Sequence, residues 1–122
     1  MDKNYPVAVI EAGPIGLAAA AHLVDRGVTP LVLEGADSVG GNIRSWAHVP
    51  TFSPWRFNVD KASVALLRKT GWQMPPESKL PTGQELIDEY LAPLASTPEL
   101  APHIHLNTWV TGVSRRRTDK MK

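Results

Sequence analysis

At 122 residues, with 43% hydrophobic and 20% charged positions, the chain suits one small globular domain and excludes a disordered tail. Thirteen basic against 12 acidic residues leave a formal charge of +1, too little to gather nucleic acid or an anionic membrane surface. The absence of cysteine excludes a disulfide framework, a thiolate metal site and a redox-active C-x-x-C, so redox chemistry has to be borrowed from a cofactor.

The amino terminus, Met1 to Pro6, lacks a positive-then-apolar signal pattern. The longest greasy stretch, around Leu17 to Ala21, is far short of a membrane span. A cytoplasmic location is expected. Val7, Val9 and Ile10 read as a short buried strand leading into Glu11-Ala12-Gly13-Pro14-Ile15-Gly16. Gly13 and Gly16 hold the second and third places of G-x-G-x-x-G, and Glu11 holds the first. The alanine-rich run from Leu17 to Arg26, closed by Gly27, is expected to be a helix. Pro30 then precedes Leu31-Val32-Leu33-Glu34, an apolar run too short for a helix and bounded by Gly35, so a second buried strand follows. Strand, helix and strand take 28 residues, a spacing that implies parallel strands and a right-handed crossover.

Each part of this unit has a use in binding a dinucleotide. Gly13 lets backbone N–H groups approach a pyrophosphate, Gly16 lets the helix sit closely on the strand, and the helix amino terminus favours negative charge. Glu34, 18 residues beyond Gly16, is placed to accept ribose hydroxyls. The expected fold is α/β, a Rossmann-like dinucleotide-binding fold with a parallel sheet, incomplete at this length. An unrelated βαβ packing unit is the alternative.

Further along, Trp46 to Val59 reads as an ordered, aromatic loop interrupted by Pro50 and Pro54. Asp60 is expected to cap a helix through about Thr70, ended by Gly71, with Ala62, Leu66, Leu67 and Val64 inward. Thr82-Gly83-Gln84-Glu85 fits a capping box for a second amphipathic helix from about Gly83 to Ser96, with Pro93 expected to kink or shorten it. The expected layout is a βαβ unit over 6–35, a loop over 36–59, a helical segment over 60–101 and terminal strands over 103–116. His103 and His105 would share one strand face; without an acidic or cysteine partner they read as solvent-facing rather than metal-binding. Arg115-Arg116-Arg117, Lys120 and Lys122 read as a solvated basic end. No side chain stands in a catalytic setting.

The stretches VAVIEAGPIGLAAAAHL and LVLEGADSVGGNIRSW resemble the amino-terminal region of FAD-dependent oxidoreductases, the group containing the flavin monooxygenases. The resemblance covers most of the chain and is sharpest at Gly13, Gly16, Ala20, Glu34 and the doublet Gly40-Gly41. It implies FAD as cofactor, with NAD(P)H in the full-length family, and cofactor contacts at Glu11, Ala12, Gly13, Pro14, Ile15, Gly16, Glu34, Gly35, Gly40 and Gly41. The segment IHLNTWVTGVSR is similar to a family stretch passing near adenine, which places the Val110 backbone there. In the family the segment after the doublet runs toward the flavin, so Phe52, Trp55 and Arg56 face either the ring or a packed loop interior.

Glu11 departs from the family pattern, and a carboxylate about 5 Å from a diphosphate meets repulsion of about 3 kcal/mol per phosphate charge at an effective dielectric near 20. Impaired rather than abolished cofactor binding is expected; the alternatives are that Glu11 turns outward to solvent or is a single sequence change in an otherwise intact copy. The length leaves no room for the family's further strands or second nucleotide-binding segment, so a truncated piece of a longer flavoprotein, inactive alone, is expected. A non-catalytic nucleotide-binding or interaction module, self-associating through an open sheet edge, is the second function class.

Overall fold

A computed structural model describes residues 5–115 of the chain. Arg116, Arg117, Lys120 and Lys122 of the basic run, and the end of the expected terminal strand, lie outside the described residues.

Three parallel strands form one sheet in the order β1-β2-β3: β1 (Val7–Ile10), β2 (Pro30–Leu33) and β3 (Ile104–His105). Between β1 and β2 runs α1 (Pro14–Asp25), whose four consecutive alanines favour helix and whose Pro14 lies in the first turn, where a missing N–H costs nothing. Leu17, Ala20 and Ala21 of α1 are buried against the sheet with Val32 of β2. This is the expected strand, helix and parallel strand.

After a short helix, α2 (Gly41–Arg44), the chain forms a loop and then α3 (Lys61–Arg68), which packs against α1. Asp60 caps α3, accepting the Ser63 N–H at 3.0 Å and the Ser63 hydroxyl at 3.1 Å, while its other oxygen meets His22 Nε2 at 2.8 Å. Leu66 and Leu67 are buried as expected, but the third buried position is Ser63, with Ala62 and Val64 only partly covered. Ser63 goes inward because its hydroxyl is satisfied at the cap.

The second amphipathic helix begins at its capping box, with Thr82 Oγ1 accepting the Glu85 N–H and Glu85 Oε1 accepting the Thr82 N–H. It runs as α4 (Gly83–Leu86), a π-helical segment (Ile87–Leu91) and α5 (Ala92–Ala95). The helix continues past Pro93 to Ala95. Proline has no N–H for the Glu89 carbonyl one turn back, and the Trp72 indole N–H supplies that bond at 2.7 Å. Ile87, Tyr90, Leu91 and Leu94 face the core with Trp55 and Leu100.

Three expectations are corrected. β1 is not buried: Val7 and Ile10 are 44% and 48% exposed, because β1 is an edge of the sheet and one of its sides has no neighbour among the described residues. The terminal strand is two residues long. After His105 the chain turns at Asn107 (φ 53°), and the N–H groups of Asn107 and Thr108 bond back to the carbonyls of Ala36 and Glu34 at 2.8 Å each. Residues 108–115 therefore form no ladder. His103 ends a 3-10 turn (Ala101–His103) before β3 begins, so the two histidines do not share a strand face. Among the described residues no cluster of three potential metal ligands occurs, and no helix is long and apolar enough to cross a membrane.

Candidate functional site

The glycine turn lies where the carboxyl end of β1 meets the amino end of α1. Gly16 has to be glycine: a β-carbon there would lie 1.9 Å from the Glu11 carbonyl oxygen. Gly13 is different, since a β-carbon there would meet nothing within 4 Å. Its bare backbone faces open space, as close approach by a ligand requires. In the first turn of α1, the N–H groups of Gly13, Ile15 and Gly16 have no acceptor within the helix, and the helix dipole adds partial positive charge.

Opposite this turn stands the glycine doublet. Gly40 takes a left-handed conformation (φ 73°), donates its N–H to the Ala12 carbonyl at 2.9 Å, and has Ile87 and Leu91 packed so closely that a β-carbon would come within 3.2 Å and 3.4 Å of them. Gly13, Pro14, Ile15 and Gly16 on one side, and Gly40, Gly41, Asn42 and Ile43 on the other, line a cleft of about 420 Å³. Glu11 is at its mouth. The backbone of Glu11 is left-handed (φ 78°), its side chain is exposed, and it accepts no hydrogen bond among the described residues. For a β-carbon-bearing residue that conformation costs about 1 kcal/mol, which is why glycine suits the position.

Glu34 lies beneath the turn. Its side chain is buried, with Oε1 accepting the Ala12 N–H at 2.7 Å and Oε2 accepting the Ala36 N–H at 2.9 Å. Ala12 is fully buried and its amide is consumed by this bond, so among the expected contact residues it holds the turn rather than lining the cleft. Gly35 and Val110 meet in a second, smaller hollow of about 70 Å³ with Ile10, Glu11, Leu33, Thr108 and Trp109. Glu11 borders both hollows.

The structure thus gathers Glu11, Gly13, Pro14, Ile15, Gly16, Gly40 and Gly41 in one cleft, places Gly35 and Val110 in its neighbour, and puts Ala12 and Glu34 underneath. The loop aromatics divide: Trp55 is a core residue at 1% exposure, whereas Phe52 is fully exposed and Arg56 lies over the Phe57 ring at 4.9 Å. Sequence reasoning missed Ala36, Asn42, Ile43, Thr108 and Trp109. Gly35 carried a signal for Trp109, since the indole covers it so closely that a β-carbon would fall 2.3 Å from the ring.

A parallel βαβ unit with a glycine turn, a helix amino terminus and an acidic strand end defines a Rossmann-type dinucleotide-binding unit. A family model described as an NAD(P)-binding Rossmann-like domain matches residues 9–70, just over half of the chain, and the chain belongs to that family. It is 31% identical over 119 residues to an FAD-dependent monooxygenase of Pyrenophora dematioidea, covering 93% of this chain and 21% of that protein. It is 42% identical over 45 residues to the 15-cis-phytoene desaturase of Narcissus pseudonarcissus, covering 37% of this chain and 8% of that enzyme. Among solved structures, an oxidised steroid monooxygenase bound to NADP superposes with a TM-score of 0.64 at 24% identity over 84% of this chain and 19% of its own. The OTEMO complex with FAD and NADP gives 0.63 at 22% identity over 87% and 20%. These likenesses show a shared fold. The chain spans about a fifth of the length of these monooxygenases.

Proposed function

We propose that the chain supplies the adenine-nucleotide end of the FAD site of a flavin-dependent, monooxygenase-like oxidoreductase, acting in the cytoplasm, with binding weakened by Glu11. The observation that carries this reading is the cleft in which the first-turn amides of α1 face the glycine doublet across a space with no side chain at Gly13. A diphosphate would lie against the amides of Gly13, Ile15 and Gly16. The adenosine ribose would reach the remaining lone pairs of Glu34, and adenine would enter the hollow beside Gly35 and the Val110 backbone. When bound, FAD supplies the hydride and oxygen chemistry, with NAD(P)H as electron source. The chain itself holds and orients the nucleotide, and none of its described side chains is assigned a proton transfer.

Glu11 is the misfit. Its carboxylate brings negative charge to the mouth of an anion site, so binding is weakened while the turn stays formed. Titration of the chain with ADP and FAD tests the reading: saturable binding of both supports it, and absence of binding by either the natural chain or Glu11→Gly refutes it.

A second reading rests on a different observation. Val7, Ile10 and Ile15 are exposed around the open edge of β1, at 44%, 48% and 86%. An interaction module would use this edge to pair with a second copy of the chain. Sedimentation at rising concentration separates the two: a dimer dispersed by Ile10→Lys favours the module, and a monomer that binds ADP favours the nucleotide site.

A further inference from the structure

We infer that Glu34 is a positioning residue for the diphosphate, acting through the peptide between Glu11 and Ala12 and not only through a ribose; the inference rests on the dinucleotide reading above. The peptide is trans, so its N–H and C=O point in opposite directions. On one side the N–H is held by Glu34 Oε1 at 2.7 Å, and on the other the carbonyl is seated where a β-carbon of Gly16 would be. The preceding peptide is held as well, because the Glu11 N–H donates to the Leu33 carbonyl at 2.8 Å. With both flanking peptides pinned, residue 11 is left in the left-handed conformation observed for it.

The strap is itself rigid. Glu34 Oε2 is engaged by the Ala36 N–H at 2.9 Å, the residue is 9% exposed, and the next carbonyl along, that of Ala12, accepts the Gly40 N–H at 2.9 Å. One buried carboxylate therefore links the end of β2, the phosphate turn and, through Ala12, the glycine doublet on the far wall of the cleft. Release of the Ala12 N–H would let Glu11 rotate out of its unfavourable conformation, move its carbonyl away from Gly16 and misplace the amides that follow.

Glu34→Gln tests this. Glutamine offers one acceptor oxygen and an NH2, so one of the two backbone amides faces a donor. Inorganic pyrophosphate, which has no ribose, and ADP are titrated against the natural chain and Glu34→Gln, each with and without Glu11→Gly. The expected result is that Glu34→Gln weakens pyrophosphate at least fivefold and ADP by at least the same factor. The loss shrinks in the Glu11→Gly background, because glycine adopts the left-handed conformation without a strap. A loss confined to ADP would show that Glu34 serves the ribose alone and overturn the inference. Tighter pyrophosphate binding would overturn it too, as the signature of removing a negative charge and nothing else. Amide hydrogen exchange in the unmutated chain gives a check independent of how well the variant folds: Ala12 should be protected, and exchange as fast as at an exposed amide would refute the strap. If no version of the chain binds either ligand while Ala12 is protected, the nucleotide reading falls with the inference.

Discussion

Replacing Glu11 by glycine removes a negative charge and a backbone penalty at once, and the two separate experimentally. The charge acts on the ligand. At about 5 Å from a phosphate the repulsion is about 3 kcal/mol per charge at an effective dielectric near 20, of which solvent around this exposed side chain screens a large part. A net gain of at least 1.4 kcal/mol is expected, equivalent to tenfold tighter ADP or FAD binding. The backbone term acts on the fold. Leaving the left-handed region (φ 78°) to a residue that tolerates it recovers about 1 kcal/mol, while the greater freedom of glycine in the unfolded chain costs about 0.5 to 1 kcal/mol. Stability should therefore change by less than about 1 kcal/mol while affinity rises at least tenfold. Glu11→Gln keeps the β-carbon and the backbone penalty but drops the charge, so it should recover most of the affinity and none of the stability. Calorimetric titration with ADP and FAD reads the effect. If Glu11→Gly leaves affinity unchanged, the carboxylate faces away from the ligand and the argument fails.

Gly16→Ala should destabilise the chain by about 1 to 3 kcal/mol and weaken ADP binding, because the new methyl falls 1.9 Å from a backbone oxygen that Glu34 and Ala12 prevent from moving. A thermal midpoint and affinity equal to those of the natural chain would show that the turn is looser than described. At Asp60, burial opposes ionisation, but hydrogen bonds from His22 and Ser63 outweigh it and hold the carboxyl below its ordinary range. A depressed folded-state pKa gives stability that is present above the unfolded value, near 4, and is lost as pH falls through the folded one. Asp60→Ala should therefore cost about 1 kcal/mol at pH 7, and the gap from the natural chain should narrow as pH falls through the lowered folded-state value; a gap that persists in acid would assign it to packing. Mixed with FAD, NADPH and oxygen, the chain should oxidise NADPH no faster than free FAD does, since no described side chain has a catalytic setting; faster oxidation would contradict the reading.

Local chemistry was the legible part of the fold. The βαβ unit followed from alanine content, a glycine after the helix and two short apolar runs, and both later helices announced their starts through Asp60 and Thr82 side chains that bond the backbone three residues on. What stayed hidden depends on partners distant in sequence. The exposure of Val7 and Ile10 is set by what lies beside β1, not by the strand's own residues. The passage of the chain through Pro93 depends on an indole 21 positions earlier, and the brevity of β3 depends on carbonyls of Glu34 and Ala36 that capture the chain after it. At the site, Gly13, Gly16, Gly40 and Gly41, singled out in the sequence, line one cleft. The double engagement of Glu34 could not be read, because an acid at a strand end looks the same whether it awaits a ribose or grips two amides.

The same geometry explains how a glutamate persists at a glycine position without undoing the turn. Its backbone penalty, about 1 kcal/mol, is small against the 5 to 15 kcal/mol typical of a folded domain. That penalty is opposed by three bonds that do not involve the side chain: Glu11 N–H to Leu33, Ala12 N–H to Glu34, and Gly40 N–H to the Ala12 carbonyl. The side chain itself leaves the turn for solvent, so the fold bears only the conformational cost. The electrostatic cost falls entirely on an anion entering the cleft. A change at this position therefore alters ligand affinity far more than stability, whereas a change at Gly16, whose missing side chain accommodates the Glu11 carbonyl, alters both together.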